Sequence, residues 1–410
     1  MKKRLIFSLV ALFLLILSKG AGAADQTAKS CACADIKTAI NKCIATRGGT
    51  VNIPACTQPD LWQSNDYLEY ETDVPIRLLG AGKDVTIIGY ADGAAPSYRP
   101  MIYFGGSGLR EIGNMTLRAS DTAIVELAIG LYSVSTPSLR IHHIKFQKFG
   151  SRFAGANINM CQNPTGQTVI DHNDFGDQKS DGVYCVYVVG TNKQADIKIP
   201  ASFGMNNPNA VFIEDNVFDN CYHSISGFAG SNIVLRHNIV RNMTSFVDGH
   251  GPCYDVGCRR DARPNSGTYI YEIYNNDFYR GDWCVNLRGG TGIITDNIFH
   301  GCNPGFRMEM ENCSPGSDCT VAKGCPHSNT DTSKCYQSPY QYWIWNNTCD
   351  GCGSQVGTSG HQCIRENYEY FLRAPRGGDP VTSYTKYPYP HPLVSGSTDR
   401  QQPKLPKKSE

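Results

Sequence analysis

The chain repeats one short pattern of apolar and polar positions: an apolar residue, two variable residues and then an asparagine. The pattern ends at Asn173, Asn216, Asn238, Asn276, Asn297, Asn347 and Asn367. The closest of these asparagines lie 22, 21 and 20 residues apart, and each longer step fits two coils or one coil with an inserted loop. A nearly fixed period of this length predicts a solenoid of stacked coils.

The segments between the asparagines are short, rich in Val, Ile and Leu, and separated by Gly, Asn and Asp, which predicts β-strands. Upstream, residues 36–46 form an amphipathic segment that predicts a helix with Asp35 as its N-cap, placed to cover the open end of the first coil. An antiparallel sandwich would also contain short strands and turns. It gives no reason for an asparagine at the same point of every turn, whereas stacked parallel coils can bond such residues from turn to turn.

The two ends of the chain differ from the repeats. Basic Lys2, Lys3 and Arg4 precede a mostly apolar run over residues 5–17, and small residues at 21–23 suit a cleavage site. The run is shorter than the about 20 residues of a membrane span. We expect a signal peptide over 1–23, one β-helix domain over 24–393, and a disordered Ser-, Pro- and Lys-rich tail over 394–410. The product is expected to be secreted or periplasmic, with no stable membrane insertion, and to be a monomer.

Charge and cysteine content narrow the class of protein. Removal of the four basic residues of the signal segment changes the formal charge from +1 to −3, so the basic excess of a nucleic-acid-binding surface is missing. The chain has 18 cysteines, all after that segment, and an even number in an oxidising compartment predicts disulfides. Cys349 and Cys352, with His361 and Cys363 nearby, also have a spacing that zinc could use.

Two rows of polar side chains follow from counting along the coils. At ten and then twelve positions beyond Asn238, Asn276 and Asn297, the residues are Asp248, Asn286 and Arg307, then His250, Arg288 and Glu309. The positions between them are mostly apolar or glycine, and strands alternate their faces. We therefore expect an outward column Asp248–Asn286–Arg307 beside a column His250–Arg288–Glu309, on strands roughly 4.8 Å apart.

These columns combine imidazole, guanidinium and carboxylate groups on a rigid face, which is the material of acid–base and sugar-binding sites. His250, Asp248 and Arg288 are the candidate catalytic residues, because His250 can transfer a proton near neutral pH and lies between glycines. Asn286, Arg307 and Glu309 are candidate substrate-binding residues, since an arginine can hold a carboxylate by two bonds. Opposite charges on adjacent strands could instead form a purely structural ladder of ion pairs.

The chain resembles the right-handed parallel β-helix family, the pectate-lyase-like proteins. The resemblance rests on the segments DIKTAINKCIATRGGTVNIPA, RLLGAGKDVTIIG and EIYNND…RGGTGIITDN, and on a C-terminal YFLRAP…YPYPHPL similar to that of secreted bacterial members. It spans residues 34–393 and implies an all-β, right-handed single-stranded parallel β-helix with an N-terminal capping helix. It further implies that His223, one coil before His250, belongs to the same substrate-binding surface, with Asp181 at its border.

Within this family the fold carries lyases, hydrolases, esterases and adhesins, so the reaction stays open. The resemblance implies a lyase or hydrolase acting on an acidic extracellular polysaccharide. In the lyases acidic residues hold Ca²⁺ and an Arg or Lys is the base, which would suit Asp248 and Arg288; no cofactor is certain, and Ca²⁺ is possible although no triple acidic cluster is visible. Polygalacturonases share Gly249-His250-Gly251, but this chain has Ser224 and Ser226 where they carry an aspartate pair. The alternative is a non-catalytic glycan-binding or adhesive protein.

Overall fold

The fold is defined by a computed structural model that describes the parts of the chain listed next. They are residues 23–57, 61–94, 99–122, 124–132, 138–150, 155–161, 166–178, 183–190, 203–228, 230–242, 245–249, 268–281, 283–309, 339, 341–358 and 364–395. Residues 1–22 of the predicted signal peptide and residues 396–410 of the predicted tail lie outside these ranges, so both stay predictions.

The described strands form two sheets in which neighbouring strands all pair in parallel. The large sheet has 19 strands and the small sheet has 10. Strands that are neighbours in a sheet belong to successive coils, as the pairings of Ile213 with Leu235 and of Ile225 with Val247 illustrate. This is a parallel β-helix, and the expected fold class is confirmed.

The strands of the large sheet are β1 Gln26–Thr27, β2 Gly49–Ile53, β4 Ile76–Gly80, β5 Ile87–Gly89, β7 Leu109–Arg118, β9 Ser138–Gln147, β11 Gln167–Asp171, β12 Asp174–Phe175, β14 Val211–Glu214, β15 Val217–Asp219, β17 Asn232–Arg236, β18 Ile239–Arg241, β20 Ile270–Tyr274, β21 Asp277–Tyr279, β23 Thr291–Thr295, β24 Ile298–His300, β26 Tyr342–Trp345, β27 Thr348–Asp350 and β29 Tyr370–Phe371. Those of the small sheet are β3 Leu68–Glu71, β6 Ile102–Gly105, β8 Leu127–Tyr132, β10 Ala156–Cys161, β13 Tyr184–Val189, β16 His223–Phe228, β19 Ser245–Gly249, β22 Trp283–Leu287, β25 Phe306–Met308 and β28 Val356–Thr358. The helices are α1 Cys33–Ala45 and α2 Pro392–Ser395, with a 3-10 turn at Gly204–Asn206.

The repeated asparagines form a continuous hydrogen-bonded ladder inside the turns of the large sheet. The Oδ1 of Asn238 accepts hydrogen bonds from the backbone N–H and the Nδ2 of Asn216, each at 3.0 Å. The Nδ2 of Asn238 donates in turn to the Oδ1 of Asn276 at 2.9 Å. The same contacts recur from Asn173 to Asn347. Expected stacking of these residues is therefore confirmed over six asparagines.

The ladder ends before the last predicted member. Asn367 is exposed, has a φ of 66°, and donates its backbone N–H to the carbonyl oxygen of Tyr370. The inclusion of Asn367 in the column was therefore wrong. Its segment closes the solenoid through a tight turn, so a local sequence match does not place its side chain under another coil.

The residue before each ladder asparagine explains why the variable positions are polar. His172, Asp215, His237 and Asn275 have φ values of 55°, 57°, 57° and 59°. Among residues other than glycine, Asn, Asp and His are the ones most often found in this left-handed region. The turn geometry thus selects both the asparagine and the polar residue that precedes it.

Apolar side chains from all faces of the coil fill its interior and stack along its length. The rings of Phe146, Phe175 and Phe218 are stacked in succession, with centroids 4.8 Å and 4.7 Å apart. Phe278 and Phe299 repeat this arrangement further along at 4.9 Å. These side chains are fully buried, so the core provides the hydrophobic stabilisation that holds successive coils together.

Helix α1 lies at the first coil, where it buries Ile36, Ile40 and Cys43. The predicted capping helix is confirmed, but it begins at Cys33, and Ala32 rather than Asp35 is its N-cap. Asp35 lies in the first helical turn, where its carboxylate accepts a hydrogen bond from the Ser30 hydroxyl at 2.7 Å. A negative charge there still favours the helix, because it faces the positive end of the helix dipole.

The C-terminal segment 384–395 packs on the outer face of the large sheet. The Tyr384 hydroxyl donates to Glu272 at 2.8 Å, and Arg236 donates to the carbonyl oxygens of Tyr387 and Pro388 at 2.8 Å each. Helix α2 ends this segment and buries Val394. The similarity to the endings of secreted family members therefore coincides with a strip that covers one face of the solenoid.

Disulfides join Cys31 to Cys56, Cys185 to Cys221, Cys284 to Cys302, and Cys349 to Cys352. The last pair is a disulfide, so these two cysteines do not form the zinc site that their spacing allowed. Disulfides of this kind form in an oxidising compartment. Within the described ranges, no helix has the length and apolarity required to cross a bilayer.

Candidate functional site

The register of the small sheet gives the first predicted column. Asp248 on β19 pairs with Asn286 on β22, and Asn286 pairs with Arg307 on β25. Ser226 on β16 precedes them in the same row. Val247 and Val285, one position earlier, are buried in the core, so the polar side chains lie on the outer face of the sheet. The equal-coil register used for counting is therefore correct for these strands.

Asp248 is the central acidic group of this face. Its Oδ1 and Oδ2 accept hydrogen bonds from Nε and an Nη of Arg288 at 3.1 Å and 2.5 Å. The Nε2 of His223 lies 3.7 Å from the Asp248 Oδ2, within the range of an ion pair but too far for a direct hydrogen bond. One buried carboxylate thus stands between a guanidinium and an imidazole.

A second ion pair lies one strand further along. An Nη of Arg307 is 2.6 Å from the Glu309 Oε2, and the Arg307 guanidinium lies over the Trp283 ring at 4.0 Å from its centroid. The Nδ2 of Asn286 connects the two pairs, at 3.4 Å from the Asp248 Oδ1 and 3.2 Å from the Glu309 Oε1. Because the Asp248 Oδ1 and the Glu309 Oε1 both contact this nitrogen, the distance between these two oxygens is at most the sum of the two contact distances.

Aromatic side chains border the charged groups. The His223 ring is stacked on Tyr184, with centroids 5.1 Å apart, and lies 4.3 Å from the Tyr222 ring. Tyr187 contacts Tyr184 from the neighbouring row at 5.4 Å. Tyr222 is one of the few large apolar side chains with substantial exposure. Such rings present apolar faces against which the C–H groups of a sugar can pack.

The charged side chains of this face are largely buried and are not fully open to solvent. The Asp248 side chain is only 1% exposed, whereas those of Arg288, Arg307 and Glu309 are 18%, 23% and 18% exposed. The expected outward column is present, but its carboxylate is covered by its own partners. Partial desolvation strengthens the electrostatic interactions of these groups with each other and with any ligand.

Two polar atoms of the same row have no hydrogen-bond partner. They are the Oδ1 of Asn286, whose residue is 5% exposed, and the hydroxyl of Ser226, which is fully buried. A buried polar group without a partner costs roughly 1–3 kcal/mol. Groups of this kind at a site are available to a ligand or an ordered water.

The structure describes only some of the remaining predicted site residues. His223 lies in the charged cluster, as the resemblance implied. His250 and Asp181 lie outside the described residues, and their roles stay predictions. Trp283, Tyr184 and Tyr222 were not singled out from the sequence, although Tyr222 directly precedes His223 and Trp283 begins strand β22. In the described part of the chain, no cluster of three or more His, Cys, Asp or Glu could hold a metal ion.

Comparisons with known proteins give distant similarities. No protein-family model matches the chain, and neither does any curated protein. The catalytic domain of a GH87 alpha-1,3-glucanase, a variant solved in complex with nigerose, matches 88% of this chain and 69% of its own at 10% identity and a TM-score of 0.36. The A-module of the mannuronan C-5 epimerase AlgE6 of Azotobacter vinelandii matches 86% and 95% at 14% identity and a TM-score of 0.32.

TM-scores of this size leave the function to be argued from the residues of the chain itself. The fold needs no such support, because the parallel pairing from coil to coil and the asparagine ladder define it directly. The chain is a parallel β-helix protein, the architecture implied by its resemblance to the pectate-lyase-like proteins.

Proposed function

We propose that the small-sheet face of this protein binds an acidic extracellular polysaccharide and cleaves it by β-elimination. The observation that carries the proposal is the position of the buried Asp248 carboxylate between the His223 imidazole and the Arg288 guanidinium. His223 is assigned as the group that transfers the proton. Asp248 is assigned as the group that positions His223 and stabilises its charged form.

β-Elimination on a uronate begins with removal of the proton alpha to the carboxylate. The electron pair forms a C–C double bond, the glycosidic C–O bond breaks, and the leaving oxygen takes a proton. A histidine suits the first step, because its ordinary pKa lies near neutral pH. A neighbouring carboxylate orients the imidazole and stabilises the imidazolium that the proton transfer creates.

The substrate carboxylate requires a cation, since the developing negative charge is delocalised into it. Arg307 fits this role, because its side chain is partly exposed and its guanidinium lies over the Trp283 ring. Arginine presents parallel N–H groups that match a carboxylate. The indole of Trp283 holds this guanidinium in place from one side.

The arrangement suits hydrolysis less well. A glycoside hydrolase uses one carboxyl group as a proton donor and a second carboxylate as base or nucleophile. Both oxygens of Asp248 accept hydrogen bonds from Arg288, and such a pair favours the ionised form. The same pair argues against Arg288 as the base, because a guanidinium that donates two bonds to a carboxylate retains its proton. Arg288 therefore acts as a fixed positive charge.

The test is a screen of the mature, oxidised protein on polygalacturonate, alginate and chondroitin. Unsaturated uronate is followed by its ultraviolet absorbance, and reducing ends are measured separately. We expect both signals to rise together on one of these polymers. Reducing ends without the unsaturated product would identify a hydrolase and refute the elimination mechanism.

Variants then test the assignment of His223. His223→Gln keeps the size and polarity of the side chain but cannot take the proton, so kcat should fall by about 10²–10⁴-fold, the usual contribution of general acid–base catalysis. His300→Gln is the matched control. His300 also stacks on a tyrosine, at 4.4 Å from Tyr279, and lies 3.9 Å from an Asp350 carboxylate oxygen, but it is on the large sheet.

Activity of His223→Gln equal to that of His300→Gln would remove His223 from the mechanism. His250→Gln, measured in parallel, assigns the role of the other candidate histidine. Arg307→Lys retains the positive charge but loses the planar fork, so its main effect should be a raised KM.

A second candidate function is a non-catalytic glycan-binding protein. The observation in its favour is that Asp248 pairs with Arg288 and Glu309 pairs with Arg307, as in a structural ladder of ion pairs. Retained binding of the acidic polymers with neither product would support this alternative. An extracellular or periplasmic location, which the disulfides favour, suits both functions.

A further inference from the structure

A separate pocket lies on the outer face of the large sheet, near the first coils. It has a volume of about 230 Å³ and is lined by Arg77, Arg110, Glu111, Ser138, Leu139, Arg140 and Leu393. It lies beside helix α2, whose Leu393 is one of the lining residues. None of the residues assigned to the glycan-binding face contributes to it.

A β-bulge brings the arginines of the pocket together. Ile76 on β4 pairs with Leu109 on β7, whereas the next residue, Arg77, pairs with Glu111, so Arg110 is an additional residue in β7. Bulges bend a strand and redirect the side chain of the extra residue. Glu111 pairs with Arg140 on the next strand, which completes the row across β4, β7 and β9.

Among the residues that the structure describes, the arginines of this cluster outnumber the carboxylates that contact them. Glu111 accepts from Arg77 and from the Nε2 of His142 at 2.8 Å. Arg140 donates to both oxygens of Asp171, at 2.8 Å and 2.7 Å. The described bond of Arg110 is one from its Nη1 to the carbonyl oxygen of Ser107, at 2.7 Å.

Three guanidinium groups therefore face two carboxylates. Charged groups held in a partly buried pocket attract a ligand of the opposite sign strongly, because the surrounding dielectric screens them less than water does. Guanidinium groups also match the geometry of oxyanions and bind them through charge-assisted hydrogen bonds.

We propose that this pocket is a binding site for a small oxyanion, a carboxylate, sulfate or phosphate group, recognised by Arg77, Arg110 and the Ser138 hydroxyl. The volume lies below the roughly 300–1,000 Å³ of pockets that enclose drug-sized ligands. It fits a free inorganic anion or a single anionic sugar unit. Leu393 of helix α2 adds an apolar contact at one side of the pocket.

The experiment is calorimetric titration of the mature, oxidised protein with inorganic phosphate, inorganic sulfate and galacturonate. Arg110→Gln removes one guanidinium at a partly exposed position, and Arg77→Gln removes another whose side chain is 51% exposed. Arg241→Gln is the control, because Arg241 is 50% exposed, lies on the same sheet and pairs with Asp219. His223→Gln separates this site from the proposed catalytic face.

Binding of at least one probe should weaken by about tenfold or more in Arg110→Gln and in Arg77→Gln, since each loses a charge-assisted hydrogen bond. Arg241→Gln should bind all three probes as the original protein does, and His223→Gln should bind phosphate and sulfate as the original protein does. Tighter binding of galacturonate than of the inorganic anions assigns a sugar-borne carboxylate; the reverse assigns a free anion. Absence of binding for all three probes, or binding that survives both arginine substitutions, would overturn the proposal. Neither result depends on whether the protein cleaves a polymer in the test of the proposed function.

Discussion

The substitution Asn238→Ala tests the asparagine ladder at its centre. Asn238 is 1% exposed, and its side chain makes five hydrogen-bond contacts, three of which share the two hydrogens of its Nδ2. Its Nδ2 donates to the carbonyl oxygens of Ile213 and Arg236, at 2.9 Å and 2.8 Å, and to the Oδ1 of Asn276. Its Oδ1 accepts from the backbone N–H and Nδ2 of Asn216. Alanine removes all five while the groups left behind remain buried.

The expected loss follows from those contacts. At about 1 kcal/mol for each net hydrogen bond, the four donated hydrogens correspond to about 4 kcal/mol of the free energy of unfolding. Asn347→Ala is the matched comparison at the end of the ladder. Asn347 makes four such bonds but is partly exposed, so water replaces most of its partners. Its loss should be only about 1–2 kcal/mol.

The assay is urea unfolding of the oxidised protein, followed by far-ultraviolet circular dichroism. The free-energy change is taken from the shift of the midpoint at an unchanged slope. A cost below about 1 kcal/mol for Asn238→Ala, or equal costs for the two variants, would refute the assignment of ladder stability to buried coil-to-coil hydrogen bonds.

Two further predictions concern the same sheet. Burial, together with the nearby Arg236, lowers the pKa of His237 from 6.5 to about 4, so its stabilising contribution is complete above pH 6.5 and is lost as the pH falls through 4. His237→Asn introduces the residue found at the equivalent position 275 and should flatten this part of a plot of unfolding midpoint against pH. An unchanged slope would contradict the assignment. Arg236→Gln leaves the buried Glu214 carboxylate without its guanidinium, so the free energy of unfolding measured in urea should fall by about 3–5 kcal/mol and segment 384–395 should be cleaved earlier by proteases. Arg241 is exposed, so Arg241→Gln should change neither quantity.

The spacing of the asparagines predicted the positions of several site residues correctly. Asp248, Asn286 and Arg307 were placed in one row from the spacing of the asparagines, and the strand pairing has them there. The same counting failed at Asn367, where the solenoid ends and the chain makes a tight turn instead of another coil. A repeat predicts register only where a further coil stacks on it.

Residue spacing along the coils does not predict the contacts between side chains. That Arg288 covers Asp248 with two hydrogen bonds, and that Arg307 lies on Trp283, depends on rotamers and on lateral distances between strands. The bulge at Arg110 was also not predicted, because an extra residue is defined by the pairing of two strands and not by the sequence of one.

The sequence by itself determined the coil. Its period, the alternation of faces and the need for polar residues in left-handed turns are local properties, and each is repeated often enough to be unambiguous. Only the tertiary structure decided which charges are paired, which carboxylate is buried, and where segment 384–395 packs on the outer face. Those outcomes depend on side chains far apart in the chain meeting within a few ångströms, and no local pattern encodes such distances.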